Sequence, residues 1–426
     1  MPEPRVHIVT FGCRTNQYES AMMERLLGQD RSAPEGDGDV YVLNACTVTG
    51  LAERKARQAA RRIRRSRPQS VIVVIGCLAD AVEKGLTRFD DADLLAGNHW
   101  KTRIIEVVRQ AHTGTRGLLP AIAPDPIGEE TTAGSREQVR ALLKLQDGCA
   151  RACTYCRATQ VRGASRSKPT AAAIAEASAL VHAGFPEIVL TGIDLAQYAP
   201  LDGTLADVVR GVLSIDGLLR LRIASIGPSG LSADLVAALA ADERACSHLH
   251  IPLQSGDDTL LQRMARGYTV AEYLERIDAI REMIPYATFG TDVIVGFPGE
   301  NETAFSNSCD VIETVGYTNL HLFRYSPRAG TAAAGFPDKV SEQTIRRRAS
   351  ILDRRWRNML RIQLDNRIGS TQHVLVEERR GDEWRGYTDD YLYVHFASEK
   401  DIPVGSIRPV RIVAVVDDRL EGSIDE

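Results

Sequence analysis

Apolar and polar positions change period along the chain, and the changes divide it. Three β-type runs come first: VHIVTF at 6–11, DVYVLNA at 39–45 and VIVVIG at 71–76. Each is followed by a helical pattern: YESAMMERLL, LAERKARQAARRI, and a segment around AVEKGL. Strands alternating with helices predict a parallel sheet joined by crossovers. From Arg116 to Ser135, Gly, Pro, Asp, Glu and Thr dominate without a period, which predicts an irregular connection. Further strands are expected at LLKLQ, EIVLTG, RLRIASI, HLHIPL, FGTDVIVGF and NLHLFRYS. Helical patterns lie between them, and 343–364 places Ile345, Ala349, Leu352, Trp356, Met359 and Leu360 on one stripe. Six βα-type units predict a partial (β/α)6 parallel barrel. STQHVLVEE, WRGYTDDYLYVHF and SIRPVRIVAVV then alternate with period two, which predicts a small antiparallel β-barrel. The expected fold class is α/β, with an N-terminal domain over 1–115, a linker over 116–138, a central domain over 139–366 and a C-terminal domain over 367–426.

A length of 426 residues suits two or three domains, and 44% hydrophobic residues suffice for their cores. No apolar run is long enough to span a bilayer, so no membrane partner is expected. MPEPRVHIVTFGC carries no signal-peptide pattern. Eight cysteines in that context point away from disulfides, toward metal or catalytic use in a reducing compartment. A cytoplasmic location is expected. The net charge of −4 does not mark a nucleic-acid binder, and its distribution is more telling, with a solvated helix face as the alternative for any one basic run. Arginines crowd RKARQAARRIRRSR at 54–67 and recur at 346–361, and such patches attract phosphates locally.

Cysteine spacing carries the chemistry. Cys149, Cys153 and Cys156 form C-x₃-C-x₂-C just after the first central strand. Three thiolates this close hold a soft metal centre, either zinc or an iron–sulfur cluster with one iron left open. Cys13, Cys46 and Cys77 each end one of the first three strands. Ligands gather at the carboxyl ends of parallel strands, so these three are expected to converge if their strands are neighbours. Cys246 and Cys309 fall outside both sets and are expected to pack as small apolar residues.

The loop CARACTYC resembles the cluster loop of radical S-adenosylmethionine (SAM) enzymes. TFGCRTNQ, LNACTVT and IGC resemble the N-terminal domain of the methylthiotransferases, as IVLTGIDLAQY, LRIASIGPSGLS, HLHIPLQSGDDTLLQRMARGYT and TDVIVGFPGE resemble their radical SAM domain. Cys-Thr-Val-Thr at 46–49, with Lys55, Arg57 and Gln58 after it, is most similar to the branch acting on threonylcarbamoyladenosine in tRNA. Ala45, Thr159-Gln160-Val161, Asp194 and Asn301 depart from the usual pattern. The last stretch resembles the TRAM RNA-binding module, with Trp384, Tyr387, Tyr391, Tyr393 and His395 as candidate stacking residues and about half of them expected in its core.

The resemblance implies two [4Fe-4S] clusters, one on each cysteine set. SAM contacts are expected at Tyr155 and, from their place at strand ends, at Thr191, Gly192, Ser225, Gln254 and Asp292; substrate contacts are expected at Arg57 and, from their place beside the cysteine loop, at Arg162 and Arg166, with an ion pair within the loop as the alternative for these two. One SAM would methylate sulfur held at the first cluster. The other would be cleaved to a radical that removes hydrogen from C2 of the adenine. An aromatic C–H has no acidic proton, so general-base chemistry cannot serve there. The partners implied are tRNA, an electron donor and a sulfur source. Alternatives are isopentenyladenosine in tRNA, an aspartate of a ribosomal protein, or a zinc-stabilised RNA-binding protein without catalysis.

Overall fold

The computed structural model describes residues 3–28, 38–132, 134, 138–398 and 400–424. Five strands, β1 Val6–Phe11, β2 Val40–Ala45, β3 Val71–Ile75, β4 Leu94–Ala96 and β5 Gly117–Leu118, form one parallel sheet in sequence order. Helices α1 Arg14–Leu27, α2 Gly50–Ser66, α3 Cys77–Glu83 and α4 Ile104–His112 join them. β2 is buried at every position, as a strand covered on both faces must be. Val40 and Val42 pack with Met22, Met23 and Val107 on one face. Tyr41 and Leu43 pack with Ala56, Ala60 and Ile63 on the other. β4 and the edge strand β5 are too short to show a period, and β5 lies where only an irregular connection was expected. That connection is also pinned: the Glu130 carbonyl accepts from Tyr18 Oη (2.7 Å) and Lys168 Nζ (2.6 Å).

The central stretch begins with β6 Arg140–Lys144. A two-stranded ribbon, β7 Gln146–Asp147 with β8 Arg166–Ser167, brackets the cysteine loop and α5 Ala158–Arg162. Then come α6 Thr170–His182, β9 Glu187–Thr191, α7 Leu205–Leu213, β10 Arg220–Ile223, α8 Ala233–Ala240, β11 His248–His250, α9 Asp258–Arg263, α10 Val270–Met283, β12 Thr288–Val295, α11 Glu302–Val315, β13 Asn319–Arg324 and α12 Glu342–Asp365. All six barrel strands are parallel. They fall into two three-stranded sheets, β6–β9–β10 and β11–β12–β13. Among the described residues, the isolated bridges Leu221–Ala245 and Ser225–His250 are the β-pairing that crosses the seam between them. HLHIPL was expected to be a full strand, but Pro252 has no amide to donate, so the ladder with β12 breaks after His250 and resumes only as an isolated bridge from Gln254 (φ 72°) to Val293. Leu221, Ile223, Leu249, Val293 and Val295 pack outward against the helices. The alternate positions Glu187, Arg222, His248, His250 and Asp292 face the interior of the arc.

The C-terminal barrel closes as β14 Thr371–Arg380, β15 Glu383–Tyr387, β16 Tyr393–Ala397, β18 Arg419–Ser423 and β17 Ile407–Val416. Its pairs are antiparallel except β16 with β18, which run parallel. Of the residues offered by sequence for stacking, Trp384 packs in its core, whereas His395 is buried on the opposite face from Val394 and Phe396, against Tyr393. The β15–β16 loop sits under the central arc and touches both of its halves. Arg222 of β10 donates to the carbonyls of Asp389 (2.9 Å) and Thr388 (3.2 Å). Ser247 and Thr288, from the other half, donate to Asp389 Oδ2 and to the Asp390 carbonyl, each at 2.9 Å. Tyr391 stacks on His248 (5.2 Å) and Tyr387 (4.9 Å), beneath the guanidiniums of Arg140 and Arg222.

Candidate active site

Cys13, Cys46 and Cys77 stand just past the carboxyl ends of β1, β2 and β3, which are neighbours in register. The three converge. Burial, then the charges of Cys77 and Cys13, push the Cys46 thiol up to about 12. Gly12 explains the close approach: at φ 130°, a Cβ there would lie 2.5 Å from Cys46 Cβ. Cys46 Sγ accepts from Val48 N (3.3 Å), and Cys77 Sγ accepts from Arg162 Nε (3.2 Å) and Asn98 Nδ2 (3.5 Å). Cys13 is exposed, so the group opens on its side.

The second set lies on the loop after β7. Cys149 Sγ accepts from Arg151 N (3.4 Å) and Gln197 Nε2 (3.1 Å), Cys153 Sγ from Arg266 Nη1 (3.1 Å), and Cys156 Sγ from Ala158 N (3.3 Å). Burial raises Cys156 to about 11, and the charges of Cys153 and Cys149 add to it. Cys46, Cys77 and Cys156, costly to ionise alone yet each served by an N–H donor, fit the sulfurs of a metal cluster, whose charge replaces the proton. Each cysteine set contains at least one such thiol, while Cys13 donates to Asn16 Oδ1 (3.7 Å).

The sets are tied to each other. α5 follows the second loop directly, and its Arg162 reaches Cys77 of the first set. Asn98 joins them again, donating to the Val161 carbonyl (2.9 Å). Arg157, next after Cys156, donates to Thr47 Oγ1 (3.1 Å), next after Cys46. Behind this contact lies a buried ionic cluster. Glu19 accepts from Arg162 and pairs with Lys101 and Lys144 (3.3 Å), and Asp147 pairs with Arg162 (3.0 Å) and Lys144 (3.4 Å). Burial would raise the Glu19 carboxyl, but these cations hold it well below the usual range.

Several sequence expectations change here. Arg162 is not a free substrate clamp: it is buried, and Cys77, Glu19, Asp147 and Asn16 occupy its guanidinium. Arg57 is likewise engaged, by Glu53 (3.1 Å), the Arg88 carbonyl and the face of Phe89. Arg166 binds the Asp125 carbonyl (2.9 Å) and Asp147 (3.3 Å). Asp292, expected against SAM, has Oδ1 occupied by two imidazoles. Thr191 and Gln254 are buried at their strand ends, Gly192 packs on Gln146, and Ser225 bridges to His250. Tyr155 lies edge-on to Phe297, its hydroxyl 3.3 Å from Arg266. Sequence reading missed Gln197 and Arg266. Gln197 sits one turn past a strand end, where it was findable; Arg266 follows α9 and carries no such signal. The departure at Asp194 also finds a role, since its carboxylate accepts from Arg151 Nε and Gln197 Nε2 (2.6 Å) beside Cys149.

Among the described residues no helix is long and apolar enough to cross a membrane. The Radical SAM superfamily profile matches residues 143–312, and that of Uncharacterized protein family UPF0004 matches 5–97. The superfamily brings with it SAM and a [4Fe-4S] cluster. The chain is 33% identical to the threonylcarbamoyladenosine tRNA methylthiotransferase MtaB of Chlamydia pneumoniae, over 98% of this chain and 97% of that one. It is 34% identical to the tRNA-2-methylthio-N(6)-dimethylallyladenosine synthase of Syntrophobacter fumaroxidans, over 99% and 96%. Its fold is similar to that of the radical SAM methyltransferase TsrM of Kitasatospora setae, with a TM-score of 0.57 at 14% identity, covering 78% and 74% of the two chains. With full-length relatives at this identity, and both cysteine sets assembled as their chemistry requires, the chain belongs to the radical SAM tRNA methylthiotransferases.

Proposed function

We propose that this protein adds a methylthio group to C2 of N6-threonylcarbamoyladenosine next to the tRNA anticodon. The observation that carries the reading is the joining of the two cysteine sets through Arg162 and Arg157, which suits one substrate base served by both. In this reading Cys149, Cys153 and Cys156 hold one [4Fe-4S] cluster and Cys13, Cys46 and Cys77 a second. When bound, the clusters and SAM supply the radical and sulfur-transfer chemistry. The chain's own residues do the rest. Gln197, Arg266 and Arg162 direct N–H groups at the ligand sulfurs, Arg151 is held over the loop by Asp194, and Thr191, Gly192, Ser225 and Gln254 supply the strand ends against which SAM would lie. The segments 1–115, 139–366 and 367–426 would serve as sulfur-cluster, radical and tRNA-holding domains, in the cytoplasm, with an outside reductant and sulfur source.

Support for the threonylcarbamoyl branch is local. Thr47 of Cys-Thr-Val-Thr accepts from Arg157 and Arg328 (3.2 Å) and donates to Glu53 (3.2 Å), and Thr49 caps α2. The branch-typical residues thus build the lip between the two sets. A dimethylallyladenosine substrate is the second reading, favoured by the equally similar Syntrophobacter relative. Nucleoside analysis of tRNA from a deletion strain, and from the strain complemented with this gene, decides between them. Methylthio-threonylcarbamoyladenosine should vanish and return. Loss of the dimethylallyl product instead would overturn the assignment.

A further inference from the structure

The interior of the arc holds ligand-type side chains that neither cysteine set uses. His250 lies on β11, Asp292 on β12 and His321 on β13, three adjacent parallel strands. Asp292 and His321 are register partners. His250 Nε2 and His321 Nδ1 each stand 3.0 Å from the same atom, Asp292 Oδ1, and the two rings are 4.9 Å apart. One ligand atom from each of the three residues lies within 4.8 Å of the others. Nitrogen and oxygen donors bound tetrahedrally at about 2.1 Å from one ion stand about 3.4 Å apart, so a shift of a few tenths of an ångström at each imidazole would bring these donors to that spacing.

A second observation shows that the place is shaped for the imidazoles. A Cβ on Gly290 would lie 2.7 Å from His250 Nδ1 and 3.0 Å from His248 Nε2. The glycine is what lets the His250 ring lie against β12 with Nε2 aimed at Asp292. Exposure is one-sided: the His250 side chain is 11% exposed and that of His321 57%. A cation here would have protein behind it and open positions in front.

We propose that His250, Asp292 and His321 form a binding site for a divalent first-row cation such as zinc, with its free coordination positions facing the interior of the arc. Two imidazoles and one carboxylate are the donor set that selects such ions over magnesium or calcium. The site is distinct from both cysteine sets and does not depend on which nucleoside is the substrate.

The test uses full-length protein with its iron–sulfur content reconstituted and counted first, so that the thiols are filled. It is dialysed against buffered zinc, and bound zinc is measured by elemental mass spectrometry. One zinc per chain is expected, with affinity weakened at least tenfold in His321→Ala and in Asp292→Asn. His321 is exposed, so its loss leaves the fold intact, which unchanged iron content and melting certify. Glu383→Gln alters the other group of metal-type side chains, Glu383, His395 and Glu421, and should change nothing. Absence of zinc binding to the wild type, or equal binding by wild type, His321→Ala and Asp292→Asn, overturns the proposal and leaves the three residues as a hydrogen-bonded network.

Discussion

Arg157 Nη1 donates to Thr47 Oγ1 at 3.1 Å, so the residue after Cys156 is bonded to the residue after Cys46. Two cysteines separated by more than a hundred positions are thereby one hydrogen bond from sharing a wall. Thr47→Val removes the acceptor and leaves the buried Arg157 short of a partner, at a cost of about 1–3 kcal/mol. We expect a lower denaturation midpoint and reduced product with an unchanged iron count. Wild-type stability in Thr47→Val would show that the contact is incidental.

Glu19 is the common counter-ion of Arg162, Lys101 and Lys144, all buried. Glu19→Ala leaves these cations under-paired, which typically costs about 3–5 kcal/mol. Urea unfolding should register this loss. A change below about 1 kcal/mol would mean that Asp147 and Glu130, both paired to Lys144, neutralise the cluster without Glu19.

Glu53 gives the protein a specific acid sensitivity. Burial raises its carboxyl, but hydrogen bonds from Thr87, Arg328 and Arg57 outweigh that and lower it to about 2. A carboxyl held below its unfolded value contributes stability above about pH 4.5 that disappears as the pH falls toward 2. The urea midpoint should therefore drop across that window, and Glu53→Gln should flatten the drop. Parallel curves for the two proteins would refute the assignment.

Arg266 and Gln197 direct N–H groups at Cys153 and Cys149. Donors to ligand sulfurs favour the reduced, more negative cluster. Arg266→Leu should lower the midpoint potential of the reconstituted SAM-binding cluster, with Arg266→Lys intermediate, as read by an EPR-monitored redox titration. An unmoved potential in the leucine variant contradicts this.

Tyr391 joins three parts of the chain: Arg14 donates to its hydroxyl (2.9 Å), and Arg140 and Arg222 lie over its ring. Tyr391→Phe should cost about 1 kcal/mol through the lost hydrogen bond. Tyr391→Ala should cost about 3 kcal/mol through packing and cation–π contacts together. Calorimetry should show the alanine variant splitting the C-terminal barrel off as a separate transition.

The strands that bear cysteines were readable because a buried parallel strand is a run of β-branched residues, and each run ended on its cysteine. What escaped was short or non-local. β4 and β5 are too brief for any period, and β16 pairs with β18 in parallel, an arrangement no local pattern announces. The cysteine positions were legible, whereas the use of the arginines was not. Arg162 reads as a free cation until folding sets Glu19 and Cys77, far away in sequence, against it. His250 and His321 look like ordinary strand residues because Asp292, which unites them, is adjacent only across the sheet.

Among the described residues, the strands of the two halves of the central arc are joined by two isolated bridges, Leu221–Ala245 and Ser225–His250, over a shared hydrophobic core. Arg222 on one side, and Ser247 and Thr288 on the other, grip the same short loop, Thr388 to Asp390. That loop is a clasp across the seam between the two halves. A displacement of the C-terminal barrel would therefore reach both sides of that seam through the same few hydrogen bonds.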